Sequence, residues 1–282
     1  DDRRATITSQ IEHHAILHAC ESIERLGYPV AYLPVDNEGI VSPDILSSFI
    51  TDETRLVSVM LVNNEIGTIE PISELAKVAH SHGAVFHTDA VQAVGHIAIN
   101  VKELGVDMLS ASAHKFNGPK GIGFKSGTKI YPYADGGAQE HGMRAGTENI
   151  ASIVGMAAAL KKNCDHMDQT QNKLHQLEDK FLDVLKLSGI DFIRNGSANH
   201  IPGNVNVSIR NASGEMLLHR LDLKSIAIST GSACDSVNTQ VSHVIQAIRV
   251  PEEYAHGTIR ISFGRDNEES DAVEIAKAIV DI

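Results

Sequence analysis

Ser112, His114 and Lys115 close one apolar run and lead into Gly118-Pro119-Lys120-Gly121-Ile122-Gly123. A lysine amine condenses with carbonyls when partial burial among polar neighbours depresses its pKa. Glycines in this number exclude helix and let a ligand approach the backbone closely. Taken singly, a lysine at such a place is more often a solvated surface charge. Asp89 follows another apolar run; it reads as a helix-cap carboxylate or as the partner of a protonated ring nitrogen. Asn64 and Gln92 follow or flank similar runs and carry amides able to bond a ring hydroxyl. His13 offers a flat face for stacking. Cys234 lies in Ser229-Thr230-Gly231-Ser232-Ala233-Cys234, a polar segment suited to presenting a thiolate. Cys20 and Cys164 fall on helical patterns and read as small buried hydrophobes.

The elements that position these residues alternate. Residues 5–9 read as a strand, 14–26 as an amphipathic helix, and 30–33 as a strand. Ser42-Pro43 marks a helix start, with serine as N-cap and proline at the first helical position. The run 55–62 (RLVSVMLV) is nearly all apolar, as expected of a strand buried on both faces of a parallel sheet. A helix over 71–82, strands over 84–87 and 107–110, and a short helix between them continue the pattern. The order predicts an α/β domain with a mainly parallel sheet, whose ligands bind at the carboxyl ends of the strands. There stand Glu12-His13, Asn63-Asn64-Glu65, Asp89 to Gln92, and His114-Lys115.

After a glycine-rich stretch (136–146), helices are expected over 150–160 and about 161–187. Strands over 204–209, 226–229 and 258–263 then alternate with helices over 215–221, 241–248 and 268–282. These boundaries predict a large domain over 1–165 and a smaller α+β domain over 166–282. The chain opens on a strand with nothing before it to begin a domain.

The formal net charge of -12 argues against direct DNA or RNA binding, which needs a cationic surface. Three widely spaced cysteines form neither a disulfide framework nor a zinc pair. The fifteen histidines show no metal-ligand spacing, so no metal is expected. His18, His80, His82, His166 and His175 fall on helical stretches, as surface or satisfied core residues. With no apolar run long enough to cross a membrane and no signal peptide, the expected location is cytoplasmic.

The segments IEHHAI (11–16), VNNEIGTIEPI (62–72), HTDAVQAVG (87–95), SASAHKFNGPKGIG (110–123), HGMRAGTEN (141–149) and STGSACDS (229–236) resemble, in order, the cysteine desulfurases of the NifS/IscS group. The resemblance implies an aminotransferase-like fold of the type I pyridoxal-phosphate-dependent transferases. It also implies pyridoxal 5'-phosphate as cofactor and conversion of L-cysteine to L-alanine. By position in the motifs, Lys115 holds the cofactor and Asp89 pairs with its ring nitrogen. His13 stacks on the ring and moves protons; Gln92 and Asn64 surround the ring hydroxyl and substrate. Ser112 and His114 bind the phosphate, as does Thr147 toward the neighbouring subunit of a homodimer. Arg260 holds the substrate carboxylate, and Cys234 receives the sulfur as a persulfide for an acceptor protein. That acceptor serves iron–sulfur assembly or thio-modification of tRNA or DNA.

Two departures stand out: Thr230 replaces the usual serine, and no counterpart of the family's N-terminal phosphate-binding segment precedes residue 5. The chain as it stands is therefore expected to bind the cofactor poorly. The alternatives are a selenocysteine lyase, or other lyase of the same fold, that does not need Cys234, and a non-enzymatic sulfur-carrier or scaffold subunit.

Overall fold

The structure, a computed structural model, describes residues 3–127, 131–132, 135–231 and 241–282. Its larger sheet contains β1 (Ala5–Ser9), β2 (Val30–Leu33), β3 (Thr54–Ser58), β4 (Val85–Asp89), β5 (Met108–Ser112) and β6 (Gly123–Gly127). The order is β2-β1-β3-β4-β5-β6. The first five strands run parallel, and β6 pairs antiparallel with β5. Ile7, Val57, Phe86 and Leu109 sit at the centre of these strands, each 4% exposed or less. Truncating Phe86 to alanine would cost about 3–5 kcal/mol, the usual loss for a buried aromatic.

The helices between the strands have local causes. In α1 (His14–Arg25) the His13 side chain caps the start by accepting from Ala15 N. In α2 (Pro43–Phe49) Ser42 accepts from Ile45 N and proline occupies the first turn, as the sequence predicts. In α3 (Ile72–Ser81), Ile72, Leu75, Ala76 and Ala79 lie on one buried stripe. The short α4 (Val101–Leu104) then leads to β5.

Next come α5 (Ile150–Asp165) and α6 (Met167–Ser188), separated by His166, which caps both. The smaller sheet is antiparallel: β7 (Phe192–Arg194), β8 (Asn204–Ile209) and β9 (Thr258–Ser262). It packs with α6, α7 (Gly214–Asp222) and α10 (Glu269–Val280). Leu174, Leu177, Phe181 and Leu185 of α6 meet Ala272, Ala276 and Ile279 of α10 in this second core, where Phe181 packs edge-on against Phe263 at 6.0 Å. Between them, α8 (His243–Ala247) and α9 (Glu252–Ala255) return to the larger sheet. Val244, Ile245 and Ile248 belong to its core.

Several boundaries differ from expectation. The run 55–62 forms a strand only to Ser58; beyond it Val59 N and Leu61 N still donate to the His87 and Asp89 carbonyls. The expected strand at 226–229 reduces to one bridge, Ser229 to Arg260. The helix expected over 161–187 breaks at His166. Strand β6 was hidden in a segment whose glycines argued only against helix. Cys164 is exposed on α5 rather than buried, whereas Cys20 is buried as expected.

Candidate active site at the ends of four adjacent strands

The strands that end in polar residues are neighbours in space: β1, β3, β4 and β5 lie side by side. The sheet order reverses between β1 and β3, and such a switch point opens a crevice at the carboxyl edge. His13 follows β1, Asn63 and Asn64 follow β3, Asp89 ends β4, and Ser112 ends β5.

Asp89 is 8% exposed. Its Oδ1 accepts from Val91 N at 2.9 Å, and its carboxylate forms no other hydrogen bond among the described residues. His13 Nδ1 accepts from Ala15 N at 3.1 Å, which leaves the hydrogen of the neutral ring on Nε2. Burial holds the His13 pKa below its ordinary value. The Asp89 charge opposes this shift, while His14, Lys115 and His243 reinforce it. His13, Asp89 and Lys115 thus lie within electrostatic reach of one another.

Lys115 stands on a short 3-10 turn, Ala113–Phe116, which Asn117 closes in the left-handed conformation at φ 64°. The turn leaves no room at Gly118, where a Cβ would lie 2.9 Å from the Ala113 Cβ and carbonyl oxygen. The Lys115 carbonyl accepts from His96 Nε2 at 2.8 Å. Ser112 Oγ and His114 Nδ1 lie 2.7 Å apart. Lys115 is expected to be partly buried, but its side chain is exposed, since it stands on the 3-10 turn beyond the end of β5 rather than within the sheet. Gln92 is half-buried in the turn after β4, and Asn64 is half-buried after β3.

The smaller sheet reaches the same rim. Arg260 of β9 donates through Nη1 to the Asn64 carbonyl at 2.8 Å and through Nη2 to Ser229 Oγ at 3.3 Å. Its buried Nε has no partner among the described residues, and burial lowers its pKa against the opposing charge of Glu65. Ser229 and Arg260 also exchange backbone bonds, so the chain running toward Cys234 starts beside Arg260. On the far side of that segment, His243 Nε2 donates to the Glu12 carbonyl at 3.1 Å, next to His13. Cys234 itself lies outside the described residues. Thr147 is exposed ahead of α5 and, among the described residues, forms no hydrogen bond with the Lys115 group.

Two residues of this rim carried no role in the sequence reading. Glu12 is fully buried; its Oε1 accepts from Ser9 Oγ (2.6 Å) and Met60 N (3.0 Å). Burial, with Asp89 adding to it, pushes its pKa up to about 8. Its only sequence signal was adjacency to His13. His243 emerges solely from the return of α8 to the larger core.

Residues 1–275 match the aminotransferase class-V family, and the chain belongs to that family and has its fold. The cysteine desulfurase IscS of Dictyoglomus turgidum is 50% identical over 262 residues, which are 92% of this chain and 66% of that protein. The IscS of Methanosarcina thermophila is 44% identical over the whole chain and 70% of its own length. Among solved structures, a NifS-like protein superposes with a TM-score of 0.91 at 34% identity, covering 99% of this chain and 74% of its own. The chain is thus a member of the cysteine desulfurase branch, and it spans about two thirds of the length of these curated relatives.

Proposed function

We propose that the protein carrying this chain is a pyridoxal-phosphate-dependent cysteine desulfurase, which converts L-cysteine to L-alanine and collects the sulfur as a persulfide on Cys234. The observation that carries this reading is the convergence of His13, Asn64, Asp89 and Lys115 from four adjacent strand ends, in a chain of this family. The donor set fits the cofactor. Asp89 keeps one carboxylate oxygen for a ring nitrogen, Ser112 and His114 pair a hydroxyl with an imidazole suited to phosphate, and Lys115 is exposed for attachment. Gln92 and Asn64 complete the polar surround.

When bound, the cofactor supplies an electron sink for the carbanion next to the substrate amine. The chain's own residues supply the rest. Asp89 holds the ring-nitrogen proton, its negative charge favouring the protonated form. The Lys115 amine and the His13 ring hold and move protons, and the neutral His13 ring can accept one. Arg260, held at the rim through Nη1 on the Asn64 carbonyl and Nη2 on Ser229 Oγ, supplies the positive charge for the substrate carboxylate. Cys234 supplies the thiolate, the sulfur nucleophile in such chemistry. The sulfur then passes to an acceptor protein, for iron–sulfur assembly or for thio-modification of tRNA or DNA. No described helix is long and apolar enough to cross a membrane, in keeping with a cytoplasmic enzyme.

A homodimer is part of the same reading. None of the residues of α5 is buried, and Ile150 and Val154 are 64% and 62% exposed. An apolar helix left this open suits a second copy, and Thr147 precedes it. The function is tested by turnover of L-cysteine in the wild type and Cys234→Ser. Alanine formation should fall by at least about 100-fold in the variant, as expected when a nucleophile is removed. Full activity in Cys234→Ser would favour a lyase without a persulfide.

A further inference from the structure

Away from the rim, three side chains converge: Glu178 and His200, which carried no role in the sequence reading, and His175, expected there to be a surface or satisfied core residue in a chain without metal. His175 and Glu178 lie one turn apart on α6, and His200 precedes β8. Glu178 Oε2 lies 2.9 Å from His200 Nε2 and 3.6 Å from His175 Nδ1, and the donor atoms of all three fall within 4.8 Å of one another. The Glu178 and His200 side chains are only 5% and 12% exposed, while His175 is 50% exposed.

The surroundings orient each donor. His200 Nδ1 faces the Ala198 carbonyl at 3.0 Å, so the hydrogen belongs on Nδ1 and Nε2 is aimed at the carboxylate. Glu178 Oε1 accepts from Gly203 N, which leaves Oε2 for the histidines. Histidine ligands that donate their other ring N–H to a carbonyl, and carboxylates that are themselves hydrogen-bonded, are the usual outer shell of a metal site. Bonds of about 2.0–2.1 Å to imidazole and carboxylate place neighbouring donors roughly 2.9–3.4 Å apart. The separations from Glu178 Oε2 sit close to that range. Arg194, on β7, is near enough to interact with the Glu178 charge.

We propose that His175, Glu178 and His200 bind a divalent transition metal ion, of which zinc is the representative. Two imidazoles and one carboxylate suit zinc, nickel or copper rather than magnesium or calcium. The half-exposed His175 side gives the ion its entry and leaves a coordination position for water.

The location gives binding a consequence. Residues 197–201 run beside the loop that carries Asn64: Ser197 N donates to Thr68 Oγ1, Ile69 N to the Asn199 carbonyl, and Ile201 N to the Gly67 carbonyl. An ion joining His200 to α6 therefore fastens the α6 layer to the segment that lies along the larger domain.

The test is calorimetric titration of zinc chloride into chelator-stripped protein, wild type and His175→Ala, with thermal unfolding of both. His175 is half-exposed, so its removal spares the fold; Glu178→Gln would also loosen Gly203 and is the second variant only. The expected result is one zinc bound by the wild type, with affinity at least about 10-fold weaker in His175→Ala. A zinc-dependent rise in melting temperature should appear only in the wild type. Equal affinity in the two proteins, or no zinc bound by either, overturns the proposal and leaves a His200–Glu178 pair without an ion.

Discussion

Glu12 is a carboxyl group buried beneath the site, and replacing it with glutamine should make stability less sensitive to alkali. Its Oε1 holds Ser9 Oγ and Met60 N, while Oε2 has no partner among the described residues. Burial raises its pKa from the ordinary 4.5 to about 8. Between those values the folded chain keeps a proton that the unfolded chain has lost, so stability falls as pH rises through this window. The slope is about 1.4 kcal/mol per pH unit, and a shift of this size amounts to a loss on the order of 5 kcal/mol by pH 8. Glu12→Gln keeps the two accepting contacts and cannot ionise. Glu70, also raised to about 8 chiefly by burial, is present in both proteins; because the Glu12 charge adds to its shift, Glu12→Gln also eases Glu70, in the same direction. Urea unfolding at pH 5 to 8.5 should show the two proteins within about 1 kcal/mol of each other at pH 5. At pH 8 the variant should be several kcal/mol more stable. Parallel curves for the two proteins across this range would refute the reasoning.

The open face of α5 predicts that Val154→Asp leaves the fold intact and shifts the protein to a monomer in size-exclusion chromatography with light scattering; an unchanged dimer would move the interface elsewhere. The Cys20 thiol is buried and its pKa is pushed up to about 11, first by burial and then by Glu12 and Glu24. Iodoacetamide at pH 8 should therefore modify exposed Cys164 well before Cys20, as peptide mass mapping would show. The proposed pairing of Asp89 with the cofactor's ring nitrogen predicts that Asp89→Asn lowers turnover of L-cysteine by about 100-fold or more, the range seen when one preorganised electrostatic group is lost; near-wild-type turnover would refute the pairing.

The parallel core was readable because short β-type runs, one of them (55–62) nearly all apolar, alternate with amphipathic helical patterns, and the polar residues after those runs had to reach one edge. That edge is where the structure brings His13, Asn64 and Asp89 together. Strand β6 was not readable, since a glycine-rich segment pairs in a ladder only when a neighbour such as β5 is already in place. The exposure of Lys115 was equally hidden, because burial depends on what covers a turn rather than on its own residues. Arg260 was assigned by resemblance, but its bond to Asn64, far off in sequence, belongs to the docking of the two sheets. The His175–Glu178–His200 cluster escaped for the same reason: only α6 and the segment before β8, packed together, bring it into being.

The most direct measurement is the visible absorption spectrum of the purified protein supplied with pyridoxal phosphate, beside its Lys115→Ala variant. Attachment of the cofactor at Lys115 predicts a yellow band in the wild type that is shifted or lost in the variant, with His13 and Asp89 unaltered in both. An identical band in the two proteins would contradict the assignment of Lys115, and no band in either would contradict the cofactor itself.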